Sequence, residues 1–203
     1  MTAQQNKPPH PAREAMATTE LSDSFATSVS IDERINYRVD QHAIKDVTEF
    51  LAKQLGVDGF EVSISFVTPE TIHQCNKNFR NVDRATDVLS FPQEAWKSKP
   101  SVEKPHRPSK NLSSLPQPPK VLGDIMICPA IAAKAARSIG QSLSQEICFL
   151  IIHSLLHLCG YEHDSEMDEA AMISQQKQLL DRLKKHDFWK IWRDCVLETS
   201  KGD

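Results

Sequence analysis

Hydrophobic and polar positions recur with clear periods along most of this chain. FEVSISF, residues 60–66, alternates strictly: Phe60, Val62, Ile64 and Phe66 point one way, Glu61, Ser63 and Ser65 the other. That pattern predicts a half-buried strand. Before it, Ile44, Val47, Phe50, Leu51 and Leu55 keep to one helical face between an N-capping Asp40 and Gly56. Thr68-Pro69-Glu70 sets a cap with proline at the first helical position. It should open a short helix whose apolar side carries Ile72, Cys75 and Phe79. SIDERINYRV, residues 30–39, is a candidate first strand. RNVDRATDVLSFP predicts a loop feeding a strand at Val88 to Phe91, with Pro92 marking an edge or an end.

VLGDIMIC, residues 121–128, predicts the next strand. Pro129 opens an alanine-rich helix that Gly140 ends. Ser142 or Ser144 caps a helix through QEICFLIIHSLLHL, apolar nearly all round and therefore a core helix. Asp164 or Ser165 caps another, running to about Lys185. A last helix is expected around Phe188 to Leu197, with Trp189 and Trp192. A helix before the alternating strand and helices after the last one predict an α+β fold, a small mixed sheet packed against helices.

Composition sharpens this in four places. The 203 residues suit one domain, taken as 29–203, plus a polar extension over 1–28 that is expected to be disordered. That extension has no apolar run, so neither a signal peptide nor a spanning helix is expected, and the cytoplasm follows as the default. Net charge is -3, so any nucleic-acid contact must come from a local patch. The five cysteines, at 75, 128, 148, 159 and 195, form no CxxC pair and read as small hydrophobes in a reducing compartment. Residues 95–120 differ in kind. Six prolines and six cationic side chains against Glu103 give a local charge of +5. The prolines exclude helix and interior strand, so a mobile basic loop inserted in the domain is expected. A solvated linker is the first reading of it, with Trp96 and the charge leaving RNA contact open.

The chemistry concentrates in HSLLHLCGYEH, residues 153–163. His153 and His157 are four apart on a helix, so their rings can reach one ion. Gly160 ends the helix because glycine takes the left-handed conformation without penalty. The chain then turns back and His163 returns as a third ligand. Three imidazoles with an open fourth position make a catalytic type of zinc centre. Cys159 should face away from the ion into the core. His10, His42, His73, His106 and His186 sit among polar residues and are expected to be solvated. HxxxHxxGxxH is the spacing of metzincin proteases, whose second letter is a glutamate acting as general base. Here that position is Ser154, which lacks a basic group, so peptidase chemistry is disfavoured.

HSLLHLCGYEH resembles the signature HGxLHLxGYDH of the YbeY family of metal-dependent endoribonucleases. NKNFRNVDRATDVLSFP, residues 76–92, resembles its NxxYRxKDxPTDVLSFP, and LGDIMIC, residues 122–128, its LGDIxIC strand. The resemblance spans about 30–185; the 1–28 extension and the 95–120 insertion look like additions. It implies a single-strand endoribonuclease that matures the 3′ end of small-subunit ribosomal RNA and takes part in ribosome quality control. One zinc ion on His153, His157 and His163, and an essential arginine, here Arg80, are implied with it. A guanidinium suits paired phosphate oxygens. Asp124 is expected either to serve the site, as an acceptor for a ligand imidazole N–H or a catalytic proton carrier, or to be a structural hydrogen-bonding residue, whereas structure is favoured for Asp87. Glu162 and Asp164 flank the third ligand and are expected mainly as caps or solvated acids. Candidate partners are ribosomal RNA, ribosomal proteins and assembly GTPases, with no membrane. A non-catalytic, zinc-stabilised ribosome-assembly factor is the alternative.

Overall fold

The alternating FEVSISF segment becomes β3 (Phe60–Phe66), whose odd-patterned apolar side chains are buried and whose polar ones are half-buried. The computed structural model describes residues 26–106, 120–186 and 192–199. Within them, β3 lies between β1 (Ala26–Ile31) and β5 (Lys120–Ile127), both parallel to it. The fourth strand, β4 (Val88–Pro92), runs antiparallel along β5 and forms an edge. Pro92 lies at that edge, where its missing N–H leaves no ladder bond unmade. The sheet is therefore mixed and small, and with its helices makes the expected α+β fold.

Helix caps fall where side-chain chemistry placed them. In α1 (Gln41–Leu55) Asp40 accepts from the His42 and Ala43 amides, and Gly56 closes the other end. Thr68 caps α2 (Pro69–Arg80), and α3 runs Pro129–Ser138. Of the two serines offered for α4 (Leu143–Leu158), Ser142 is the cap, in a reciprocal capping box with Gln145. Ser144 is buried and bonded to Val196 instead. Ser165 caps α5 (Glu166–Lys185).

One face of the sheet carries the main core, where Val62, Ile64, Leu122 and Ile125 meet Leu51 and Leu55 of α1, Ile151 and Leu155 of α4 and Leu179 of α5. A smaller cluster of Val67, Ile72, Leu89 and Cys128 gathers α2 and α3 around the end of β4. At the junction of β4, β5 and α4, Gly123 has φ +149, and a β-carbon there would lie 2.3 Å from Phe91 O and 2.8 Å from Leu158 Cδ2. Only glycine allows α4 to approach the strands so closely. The carboxyl end of α4 is thereby pressed onto the sheet.

Four expectations change. The first strand stops at Ile31, because Asp32 turns the chain by binding the Arg34 amide and guanidinium. The remainder of SIDERINYRV supplies a separate strand, β2 (Tyr37–Val39). Val196 and Leu197, expected to end a last helix, instead belong to β6 (Val196–Glu198), antiparallel to β2, while Trp192 is helical; residues 188–191 of that span lie outside those described. Phe79 is 67% exposed, not on the buried side of α2. The insertion is not a free loop over 95–106: Pro100 and Val102 are buried and the segment is bonded to α1, α4 and α5. Its remainder, 107–119, and the 1–25 part of the extension lie outside the described residues. Among the described residues no single helix is long and apolar enough to cross a membrane.

Candidate metal centre

His153 and His157 project from the last turns of α4, and the turn after it brings back His163. Ligand nitrogens of the three rings lie within 4.8 Å of one another. Gly160 at φ +84 makes that return possible. The first two rings are oriented by their far nitrogens. His153 Nδ1 donates to Gln176 Oε1 of α5 at 2.7 Å, and His157 Nδ1 donates to the Tyr161 carbonyl at 2.8 Å. With both protons on Nδ1, the two Nε2 atoms carry bare lone pairs, and they face each other at 3.1 Å. Nitrogens bound at about 2.0–2.1 Å by one tetrahedral ion stand about 3.3 Å apart. The donor set therefore fits a shared cation, and zinc, cobalt, nickel or copper all suit imidazole.

Electrostatics keep the His153 and His157 rings neutral and ready to bind. Burial holds the His157 ring at about 4, with the neighbouring His153, His163 and Arg80 charges acting in the same direction. Burial likewise lowers His153, against the bond to Gln176. Glu162 stands 3.6 Å from His157 Nδ1, farther than the Tyr161 carbonyl, which is the acceptor. Ser154 is completely buried and its hydroxyl has no partner among the described residues. The position that carries the base in a metzincin thus faces the core. Cys159 is also fully buried, its thiol pushed up to about 12 by desolvation, in keeping with packing and not ligation.

Arg80 ends α2 and reaches the edge of the sheet, donating to the Ser90 carbonyl at 2.8 Å. Its charge adds a minor lowering to the His157 ring. Asp87 accepts from the Val88 amide and the Thr86 hydroxyl, a strand-starting role, and its charge reaches His153. Asp124 Oδ2 accepts from Gln93 Nε2 at 2.7 Å, while the imidazole N–H groups use Gln176 and Tyr161. Of the histidines expected to be merely solvated, His73 pairs with Asp83 and His106 packs edge-on against Trp96 and Phe60. Sequence reasoning missed Gln176 and Tyr161, and read Trp96 for RNA contact and not for its bond to α4. Gln176 lies 23 residues beyond its partner with no motif to mark it; Tyr161 sits within the histidine motif, but its contribution is a main-chain oxygen.

The family model for Endoribonuclease YbeY matches residues 27–184. A Staphylococcus carnosus protein named endoribonuclease YbeY is 40% identical over 124 residues, covering 61% of this chain and 72% of that one. Its Staphylococcus aureus namesake is 37% identical over 139 residues, 68% of this chain and 83% of the relative. A Thermotoga maritima protein solved in solution shares the fold, with a TM-score of 0.51 at 23% identity over 82% of this chain and 91% of that one.

Proposed function

Because the chain belongs to the endoribonuclease YbeY family, we propose that it is a zinc-dependent endoribonuclease that cuts single-stranded ribosomal RNA during maturation of the small-subunit 3′ end and in ribosome quality control. The observation that carries the metal part is the convergence of the His153 and His157 Nε2 atoms, 3.1 Å apart, beside His163. His153, His157 and His163 hold the ion. When bound, it supplies a Lewis acid for activating water and polarising a phosphoryl oxygen.

The protein's own groups do the rest. Gln176 and the Tyr161 carbonyl hold both imidazole protons at Nδ1, so neither ring turns away. Arg80 spends one N–H on Ser90 and keeps its other donors for phosphate oxygens, where a guanidinium stabilises charge gathering on phosphorus. Asp124 carries two readings. As a proton carrier, Asp124→Asn loses cleavage and keeps the fold; as the anchor of Gln93, whose N–H the asparagine oxygen still accepts, the same variant keeps both. In this reading the protein works in the cytoplasm, beside ribosomal proteins and assembly GTPases.

The deciding experiment is metal analysis with cleavage of a single-stranded RNA by wild type, His157→Ala and Arg80→Glu. We expect one zinc per wild-type chain, cleavage lost in both variants, and metal lost only in His157→Ala. If metal-loaded wild type leaves RNA intact, the protein is not a nuclease. If His157→Ala unfolds, zinc is holding the fold, as in a non-catalytic assembly factor.

A further inference from the structure

Residues 93–106 leave the end of β4 and cross the turn that carries the third histidine. Several of their contacts fall on that turn. Trp96 Nε1 donates to the Leu158 carbonyl at 2.7 Å, satisfying an acceptor at the open end of α4. The same indole lies over Gly160, whose β-carbon would stand 3.5 Å from Trp96 Cδ1. The Tyr161 hydroxyl donates to the Pro100 carbonyl at 3.0 Å, and Lys99 lies 5.5 Å over the Tyr161 ring while pairing with Asp168. Farther along, the Val102 amide is accepted by Gln175 of α5 and the His106 amide by Leu55 at the end of α1. The segment is thus a strap, fastened at both ends and pressed against residues 158–161 in its middle.

Tyr161 makes this more than packing. Its hydroxyl is tied to the strap and its carbonyl receives the His157 Nδ1 proton. His163 follows two residues later and is exposed, so its position depends on the turn and not on burial. We propose that the strap is a clamp on the metal centre, with Trp96 and Tyr161 as positioning residues that set the orientation of His157 and the return of His163. This rests on the metal reading above. A turn released from the strap lets the third ligand and the His157 acceptor drift together, so metal affinity falls although all three histidines remain.

The test is zinc affinity, by competition with a chromophoric chelator, for wild type, Trp96→Ala, Trp96→Phe, Tyr161→Phe and Val102→Ala. Each is measured at a temperature where circular dichroism shows it folded. The cobalt(II)-loaded forms give a second readout through their visible absorption. Trp96→Ala and Tyr161→Phe should weaken zinc binding by about tenfold or more, the scale for losing an orienting partner, and shift the cobalt bands. Trp96→Phe, which keeps a ring over Gly160 but loses the bond to Leu158, should fall between. Val102→Ala lowers the urea midpoint from the far end of the strap and should leave affinity within about twofold, because the bonds at the turn survive. Unchanged zinc affinity and cobalt spectra in Trp96→Ala and Tyr161→Phe overturn the clamp. So does a loss of affinity across all variants that simply follows lost stability. Failure of the wild type to bind zinc sinks the metal reading, and the clamp with it.

Discussion

His153 on α4 and Gln176 on α5 are joined by a 2.7 Å hydrogen bond from the ring Nδ1 to the amide oxygen. The bond makes the second helix part of the metal centre, although none of the three histidines lies on it. Gln176→Ala should lower zinc affinity by about 10- to 100-fold with the fold retained. Gln176→Glu keeps an acceptor and should keep or raise the affinity, because a carboxylate partner makes the ring a stronger base. Chelator competition measures both; equal affinities for the alanine and wild-type proteins would remove Gln176 from the site.

Ser154 buries a hydroxyl that has no partner among the described residues. An unpaired buried polar group costs free energy that alanine does not, so Ser154→Ala should stabilise the protein by about 1 kcal/mol. Ser154→Gly should gain almost nothing, because glycine costs a helix interior about 1 kcal/mol relative to alanine. The urea midpoints of the three proteins decide it, and a destabilised alanine variant would show that the hydroxyl has a partner after all.

Gly123→Ala should be far more damaging than its one added carbon suggests. The methyl meets the Phe91 carbonyl and Leu158 together, at a backbone conformation that disfavours side chains. Strain and overpacking together should cost about 2–5 kcal/mol. Because Leu158 follows His157, zinc affinity should fall with it. A variant of near wild-type midpoint would mean that α4 can shift away from the sheet.

Glu103 ties the strap to α5. Bonds from Gln175 and Gln178 hold its carboxyl down at about 2. The unfolded chain binds a proton at higher pH than the folded one, so this tie is fully present above about 4.5 and lost as pH falls toward 2. Urea midpoints of wild type and Glu103→Ala should therefore differ at pH 6 and converge near pH 2. A difference that does not change with pH would rule out the carboxylate as its source.

Local chemistry made much of this fold readable in advance. Asp40, Thr68 and Gly56 mark helix ends by hydrogen bonding and backbone preference, and each falls where its chemistry puts it. The three histidines were readable for the same reason, since helix spacing and one glycine bring them together within eleven residues. Other features depend on contacts distant in sequence. Val196–Glu198 looks helical until Tyr37–Val39 offers it a strand partner. The proline-rich insertion looks solvated because its composition suits water, yet Gln175 and Leu158 accept its donors and hold part of it down. Gln176 has no signal short of knowing that α5 lies beside α4.

The two helical ligands differ in how open they are to mutation. His157 leans on a main-chain oxygen of Tyr161, which substitution of that residue's side chain does not delete. His153 leans on a side-chain amide, which a single codon change can turn into a carboxylate or remove. Variation among descendants of this protein can therefore retune one imidazole directly, altering its basicity and its grip on the ion, while the other changes only through the contacts that place its backbone partner.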